Sequence, residues 1–181
     1  MSMEVGASLR KPPAQVWIAE IQETMALLGG IQAVINPAQY RAGIACIESI
    51  TNNPSQIAKS ENLKELLVQW SSPFNVISVM NNRDSPLHRD NGGGYSMMDV
   101  LTSVGEYINC RFSVPGLAVE FWNRLGLVIT LSRRVVRHRA SAEGERLCIA
   151  QYSRETIFEE LQIPEPDWTS IDNLIHDIVN N

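Results

Sequence analysis

Apolar positions in the first 70 residues recur at helical spacing, and after Ser71 they gather into short runs rich in Val, Ile, Phe and Leu. Val16, Trp17, Ile21, Met25 and Leu28 approximate one face of a helix that opens at Pro12-Pro13 and is expected to stop at Gly29-Gly30. Asn36-Pro37 reads as an N-cap followed by proline at the first helical position. It opens a second helix with Tyr40, Ile44, Ile47 and Ile50 on one face and a stop at Asn53-Pro54. Leu63, Leu66, Leu67 and Trp70 predict a third helix, and Ser170–Val179 a closing one. Between them lie β-rich runs: Phe74–Met80, Val100–Val104, Arg111–Val114, Leu117–Phe121, Leu127–Leu131 with Val135-Val136, and Leu147–Tyr152. Asn81-Asn82, Gly92-Gly93-Gly94, Pro115-Gly116 and Glu143-Gly144 supply the expected turns. Runs spaced this way predict an antiparallel sandwich or barrel rather than βαβ units. The fold class is therefore α+β in a single domain over 1–181, with helical support at 1–70, a β-core at 71–156 and an acidic helical tail at 157–181.

Composition changes this picture little. A chain of 181 residues, 44% hydrophobic and 19% charged, fits one globular domain with a real core. Apolar runs fall short of the ~18 residues that a membrane span needs, so no membrane association is expected. The opening Met1–Gly6 has neither the basic nor the apolar region of a signal peptide. Cys46, Cys110 and Cys148 suggest neither a disulfide framework nor a zinc motif, and favour a reducing compartment, nuclear or cytoplasmic. A monomer is the expected state.

Charge matters more. Under the net charge of −5, residues 71–156 carry ten basic residues against eight acids, and all ten are arginine. Residues 157–181 carry six acids and no base. Guanidinium groups pair bidentately with phosphates and carboxylates, so this section either meets an anionic partner or balances the acids beside it.

The informative cluster is His88-Arg89-Asp90, joined by His138 fifty residues on. Residues two apart in an extended segment share a face. His88 and Asp90 can therefore reach one ion, and a histidine from a distant strand completes two histidines and a carboxylate, the ligand set of non-haem Fe(II) oxygenases. The alternative is that these are surface or hydrogen-bonded residues. Arg146 opens the last β-run, and Cys148 and Ala150 share its face. An arginine inside a barrel favours a carboxylate such as the distal one of 2-oxoglutarate. Glu143 and Glu145 beside it leave a surface charge at a turn equally open.

These motifs come in a fixed order: His88-Arg89-Asp90, the glycine run, Asp99-Val100-Leu101, Val104-Gly105, Pro115-Gly116-Leu117, Val135–His138 and Glu143–Cys148. Over about residues 74–160 the chain resembles the fungal TET/JBP-like 2-oxoglutarate and Fe(II)-dependent dioxygenases. The resemblance implies a double-stranded β-helix (jelly-roll, cupin-like) core. It implies His88, Asp90 and His138 as iron ligands and catalytic centre, Arg146 on the 5-carboxylate of 2-oxoglutarate, and O2 as oxidant. It also implies a nucleic-acid substrate, methylated DNA ahead of RNA. The reaction would be oxidation of 5-methylcytosine to 5-hydroxymethylcytosine and beyond, a step in DNA demethylation, with N6-methyladenine as another candidate. Many such enzymes place Ser or Thr two residues after the arginine, where this chain has Cys148. A thiol donates poorly, so Tyr152 is a candidate for the missing hydroxyl.

Asn81, Asn82 and Arg83 precede the ligand loop, where they either line the mouth and read a base edge or simply make the turn. Tyr95 after the glycines belongs to a lid or a spacer, and Asp99 contacts an exocyclic amino group or caps a turn. With alternation through Val135-Val136, Arg134 shares the inward face of His138, while Arg133 and Arg137 point outward as a phosphate-binding strip. His176 reads as surface. Two other functions compete: hydroxylation of a small molecule or protein, and a non-catalytic jelly-roll binding module.

Overall fold

In the computed structural model, residues 8–9, 11–57 and 63–172 are described, and they fall into two compact units. The first, residues 1–75 and 155–181, holds the helices α1 (Pro12–Glu20), α2 (Gln22–Ile35), α3 (Pro37–Asn52), α4 (Leu63–Gln69) and α5 (Glu155–Leu161). Ile18, Met25, Leu28, Cys46, Ile50, Leu66 and Phe158 are buried in it. The expected cap is present: Asn36 accepts a hydrogen bond from the Gln39 amide at 3.0 Å, with Pro37 at the first helical position. Gly29-Gly30 does not end a helix. The break falls at Ile21, and α2 runs through both glycines; a Cβ at Gly29 would stand 2.7 Å from the Pro73 ring. Close packing, rather than termination, requires that glycine. Burial pushes the Cys46 thiol up to about 11, with the Asn75 amide pulling it back slightly. The expected closing helix at 170–179 lies mostly outside the described residues, as does His176.

The second unit, Val76–Arg154, is the β-core. Its strands are β1 (Val76–Asn81), β2 (Ser85–His88), β3 (Asp99–Val114), β4 (Val119–Trp122), β5 (Val128–Leu131) and β6 (His138–Tyr152). Every pairing is antiparallel, in the order β1-β6-β3-β4, with β2 added to β6 and β5 to β3. Two long strands thus carry four short ones. Leu101, Phe112, Val114, Ile129, Ala140, Cys148 and Ala150 form the core between them.

Three expectations about this unit are corrected. The runs Val100–Val104 and Arg111–Val114 belong to one 16-residue strand, irregular between Ile108 and Arg111, where Asn109 takes a φ of +52°. Glu143-Gly144 is not a turn, because β6 passes straight through it with Gly144 opposite Tyr107. Val135-Val136 is not strand: both amides donate to the Ser132 carbonyl at 3.1 Å, which turns the chain and makes His138 the first residue of β6.

The β3–β6 ladder depends on two glycines in left-handed territory. Gly105 (φ +116°) stands opposite Arg146, and a Cβ there would lie 2.3 Å from the Glu145 carbonyl oxygen. Gly144 (φ +96°) would bring a Cβ within 2.6 Å of the Glu106 carbonyl oxygen. Alanine at Gly105 should therefore cost at least ~2 kcal/mol, since both backbone and space refuse it. Gly116→Ala, with nothing within 4 Å of its Cβ, should stay within ~0.5 kcal/mol of the parent chain. Denaturant unfolding of the two variants measures the contrast.

Candidate metal centre

β2 and β6 meet with His88 opposite His138, so register alone brings the two imidazoles to a centroid separation of 4.5 Å. The chain leaves β2 with the Asp90 amide bonded to the Arg133 carbonyl at 3.1 Å, which turns the Asp90 carboxylate toward both rings. His88 Nε2 lies 3.7 Å from Asp90 Oδ1, and His138 Nε2 lies 3.8 Å from Asp90 Oδ2. The three ligand atoms fall within 4.8 Å of one another.

Each ring is oriented by its other nitrogen. His88 Nδ1 is 2.6 Å from the Pro86 carbonyl oxygen, and His138 Nδ1 is 3.3 Å from that of Val136. A carbonyl can only accept, so Nδ1 carries the hydrogen in both and Nε2 keeps a lone pair for a metal. Phe112 stacks on His138 at 5.6 Å and 13°, and Phe121 stacks on Phe112 in turn. Burial lowers the His138 pKa, and the nearby His88 adds to the effect against the pull of the Val136 contact. The imidazole is thereby kept neutral, as a ligand must be.

Asp90 Oδ2 is buried and has no hydrogen bond, although Arg133 Nη1 stands 3.0 Å away at ion-pair range. The contact is electrostatic without directional bonding, which leaves the oxygen a lone pair aimed at the His138 ring. Two imidazole Nε2 atoms and a carboxylate within 4.8 Å of one another are a donor set that suits a borderline divalent ion such as Fe(II).

Arg133 was expected to point outward, and it does not. Its side chain lies behind Asp90, paired also with Asp99, and its guanidinium covers the Tyr152 ring at 4.7 Å. The Ser132 turn reverses the assumed alternation, which is why the outward phosphate strip loses this member; Arg137 remains exposed. Asp99 is 5% exposed, with its carboxylate held by Arg133 rather than presented to a substrate. Burial pushes its pKa up to about 6, against the opposing pull of Arg133.

A cavity of about 70 Å³ opens beside the triad, and Arg83, Arg133, Arg146 and Cys148 line it together with His88, Asp90 and His138. Arg146 is 6% exposed; its Nε donates to Ser103 Oγ at 3.1 Å and its Nη1 to the Arg83 carbonyl at 3.5 Å. It is therefore no surface charge at a turn.

The other candidates stand elsewhere. The Asn82 side chain joins β6, accepting from the Arg146 amide at 2.6 Å and donating to Glu145 at 2.7 Å. Asn81 ends β1 opposite Leu147. The Tyr152 hydroxyl bonds Ser78 at 3.2 Å, its ring lies under Arg133, and it is not among the residues lining the cavity. Arg134 Nη1 donates to the Gly93 carbonyl at 2.8 Å, and the guanidinium covers the exposed Tyr95 ring at 4.0 Å. Together they clasp the glycine segment. Phe112 and Ser103 escaped sequence reasoning, and Arg133 was placed on the wrong face. Only Phe112 had a signal, through alternation with Val114.

A two-histidine, one-carboxylate cluster on an antiparallel β-core, beside a buried arginine, defines a non-haem Fe(II) oxygenase. The chain belongs to the Tet_JBP family, the oxygenase domain of the 2OGFeDO superfamily, which it matches over residues 9–155. That superfamily uses Fe(II), 2-oxoglutarate and O2. A solved structure of NgTET1 in complex with 5mC DNA is similar at a TM-score of 0.59 and 12% identity, over 97% of this chain and 63% of that one. The likeness shows the fold, an α+β architecture with a jelly-roll core, and the chain spans less than two thirds of that relative's length. No curated protein matches the chain by sequence.

Replacing Arg133 with Met leaves the Asp99 carboxylate buried without its cation. We expect a loss of about 3 kcal/mol at pH 8. The folded-state pKa of Asp99 already lies above its ordinary value of 3.8, so its burial is least costly when it is protonated. The variant's deficit should therefore shrink below pH 6 and grow as pH rises through that value, as read from denaturation midpoints at pH 5 and 8.

Proposed function

We propose that this dioxygenase oxidises the methyl group of a nucleic-acid base, with 5-methylcytosine in DNA as the first candidate. The observation that supports it is the gathering of His88, Asp90, His138 and Arg146 around one cavity in a chain of the Tet_JBP family. His88, Asp90 and His138 would hold Fe(II), which with 2-oxoglutarate and O2 supplies the oxidising power to break a methyl C–H bond, leaving succinate and CO2. Arg146 would bind the far carboxylate of 2-oxoglutarate, as a bidentate guanidinium suits a carboxylate. Phe112 holds the His138 ring flat, and Arg133 fixes the Asp90 carboxylate in place. A base stacked within a duplex cannot bring its methyl group to a recessed metal centre, so the substrate base would be flipped out or already single-stranded. Arg89 and Arg137 are exposed beside the ligand pair and available to phosphates. The similar NgTET1 structure was solved with 5mC DNA, which supports the same substrate class here.

A second reading, hydroxylation of a small molecule or protein, is favoured by the net charge of −5. It gains weight from the internal use of Arg133, Arg134 and Arg146, which subtracts cations from any phosphate-binding surface.

Two experiments test these assignments. His88→Ala and Asp90→Ala should each abolish stoichiometric Fe(II) binding measured anaerobically, and full retention of turnover by either would sink the ligand assignment. Nucleoside mass spectrometry after incubation with methylated DNA and RNA oligonucleotides should reveal a hydroxymethylated base. Turnover of 2-oxoglutarate with every base unchanged would transfer the function to the second reading.

A further inference from the structure

A second cavity, of about 330 Å³, shares no lining residue with the one at the metal centre. It opens where β3 loses register with β6, between Ile108 and Arg111. Residues three apart on a regular strand face opposite sides. The irregularity, with Asn109 at a φ of +52°, instead brings both Tyr107 and Cys110 to this one cavity. The volume falls within the ~300–1,000 Å³ of small-molecule sites.

Two polar atoms of its lining residues are buried without a hydrogen bond: Asn123 Oδ1 and the Tyr107 hydroxyl oxygen. Asn123 is 3% exposed and locked on two sides. Its backbone amide donates to the Cys110 carbonyl at 2.9 Å and its side-chain amide to the Cys110 thiol, so Oδ1 is the atom left over. Buried polar atoms normally find a partner, and two orphans on one cavity mark partners that arrive from outside. Around them the lining is apolar and cationic. Ile108 and Leu125 are exposed, and the Trp122 indole, covered on one face by Arg111, is 45% exposed. Arg124 is exposed as well, and its guanidinium has no ion pair among the described residues.

These groups specify a ligand. Asn123 Oδ1 can only accept, so it calls for a donor, and the Tyr107 hydroxyl can donate to an acceptor beside it. Trp122, Ile108 and Leu125 suit a flat ring, and Arg124 suits a phosphate. A ring with an amino donor next to a ring-nitrogen acceptor, and a phosphate attached, is an adenine or cytosine nucleotide. We propose that this cavity is a second binding site, for such a nucleotide, with Asn123 and Tyr107 reading the base, Trp122 beside the ring and Arg124 on the phosphate. The nucleotide is either free or one residue of a single strand, two sources of the same chemistry. The site is separate from the metal centre, and the proposal stands whichever substrate the centre oxidises.

Calorimetric titration of AMP and CMP into the full chain, with adenosine and ribose 5-phosphate alongside, is the test. Both nucleotides should saturate one site, and adenosine and ribose 5-phosphate should bind about ten-fold more weakly, since each lacks part of the contacts. Arg124→Ala should weaken AMP about ten-fold, leave adenosine unchanged and keep the parental melting temperature. Tyr107→Phe should weaken AMP and adenosine alike, yet melt no lower than the parent, because it sheds an unsatisfied buried hydroxyl. Competition by short oligo(dA) or oligo(dC) would assign the site to a strand, and its absence to the free nucleotide. No saturable binding of mononucleotide or strand by the parent, or parental affinity in both variants, would overturn the proposal. So would loss of AMP binding in His88→Ala, which would move the nucleotide to the metal centre.

Discussion

The pairing of β6 with its neighbours β3 and β2 governs the position of the metal centre. His138, Arg146 and Cys148 lie on β6, while Ser103 and Phe112 lie on β3. Their distances are consequences of register. The ladder persists past residue 144 only because Gly105 and Gly144 adopt backbone conformations closed to larger residues and let the strands approach. Interrupting the pairing there would detach the Arg146 end of the site from the His138 end. The two halves of the chemistry, metal and co-substrate, are in this sense one mechanical object.

Electrostatics then divides the arginines by task. Arg133 neutralises two carboxylates at once, Asp90 at the centre and Asp99 behind it. Arg111 lies over the Trp122 ring, Arg139 pairs with Glu120, and Arg134 holds Tyr95 and Gly93. Arg146 alone of these is buried facing a cavity with no anion of its own. The arginine-rich composition of 71–156 thus reflects internal ordering as much as any surface for phosphate.

Much of the centre was legible in the sequence, because H-x-D spacing and a distant histidine obey simple strand geometry. Asn36-Pro37 and the α+β division were legible for the same reason: caps and periodicity are local signals. What escaped was set by tertiary contacts. The β-branched pair Val135-Val136 has strand propensity, yet the Ser132 carbonyl captures both amides and turns the chain, which reverses the side on which Arg133 emerges. Glycines mislead twice, at Gly29-Gly30 and at Gly144. There they serve close approach instead of punctuation, and the identity of the approaching backbone is invisible locally. Ser103 carried no signal, since its role exists only through a strand 43 residues away.

The three metal-ligand candidates are not held alike. His138 is 4% exposed, stacked on Phe112 and anchored at the head of a 15-residue strand. His88 and Asp90 are a third exposed and hang from a four-residue strand whose register with β6 shifts along its short length. Such an edge has few bonds to hold it, so an ion bridging it to His138 would act as a clasp. Free energy of metal capture would then become free energy of local folding. Loss of the ion would then be felt first at Ser85–Asp90, the least anchored part of the centre.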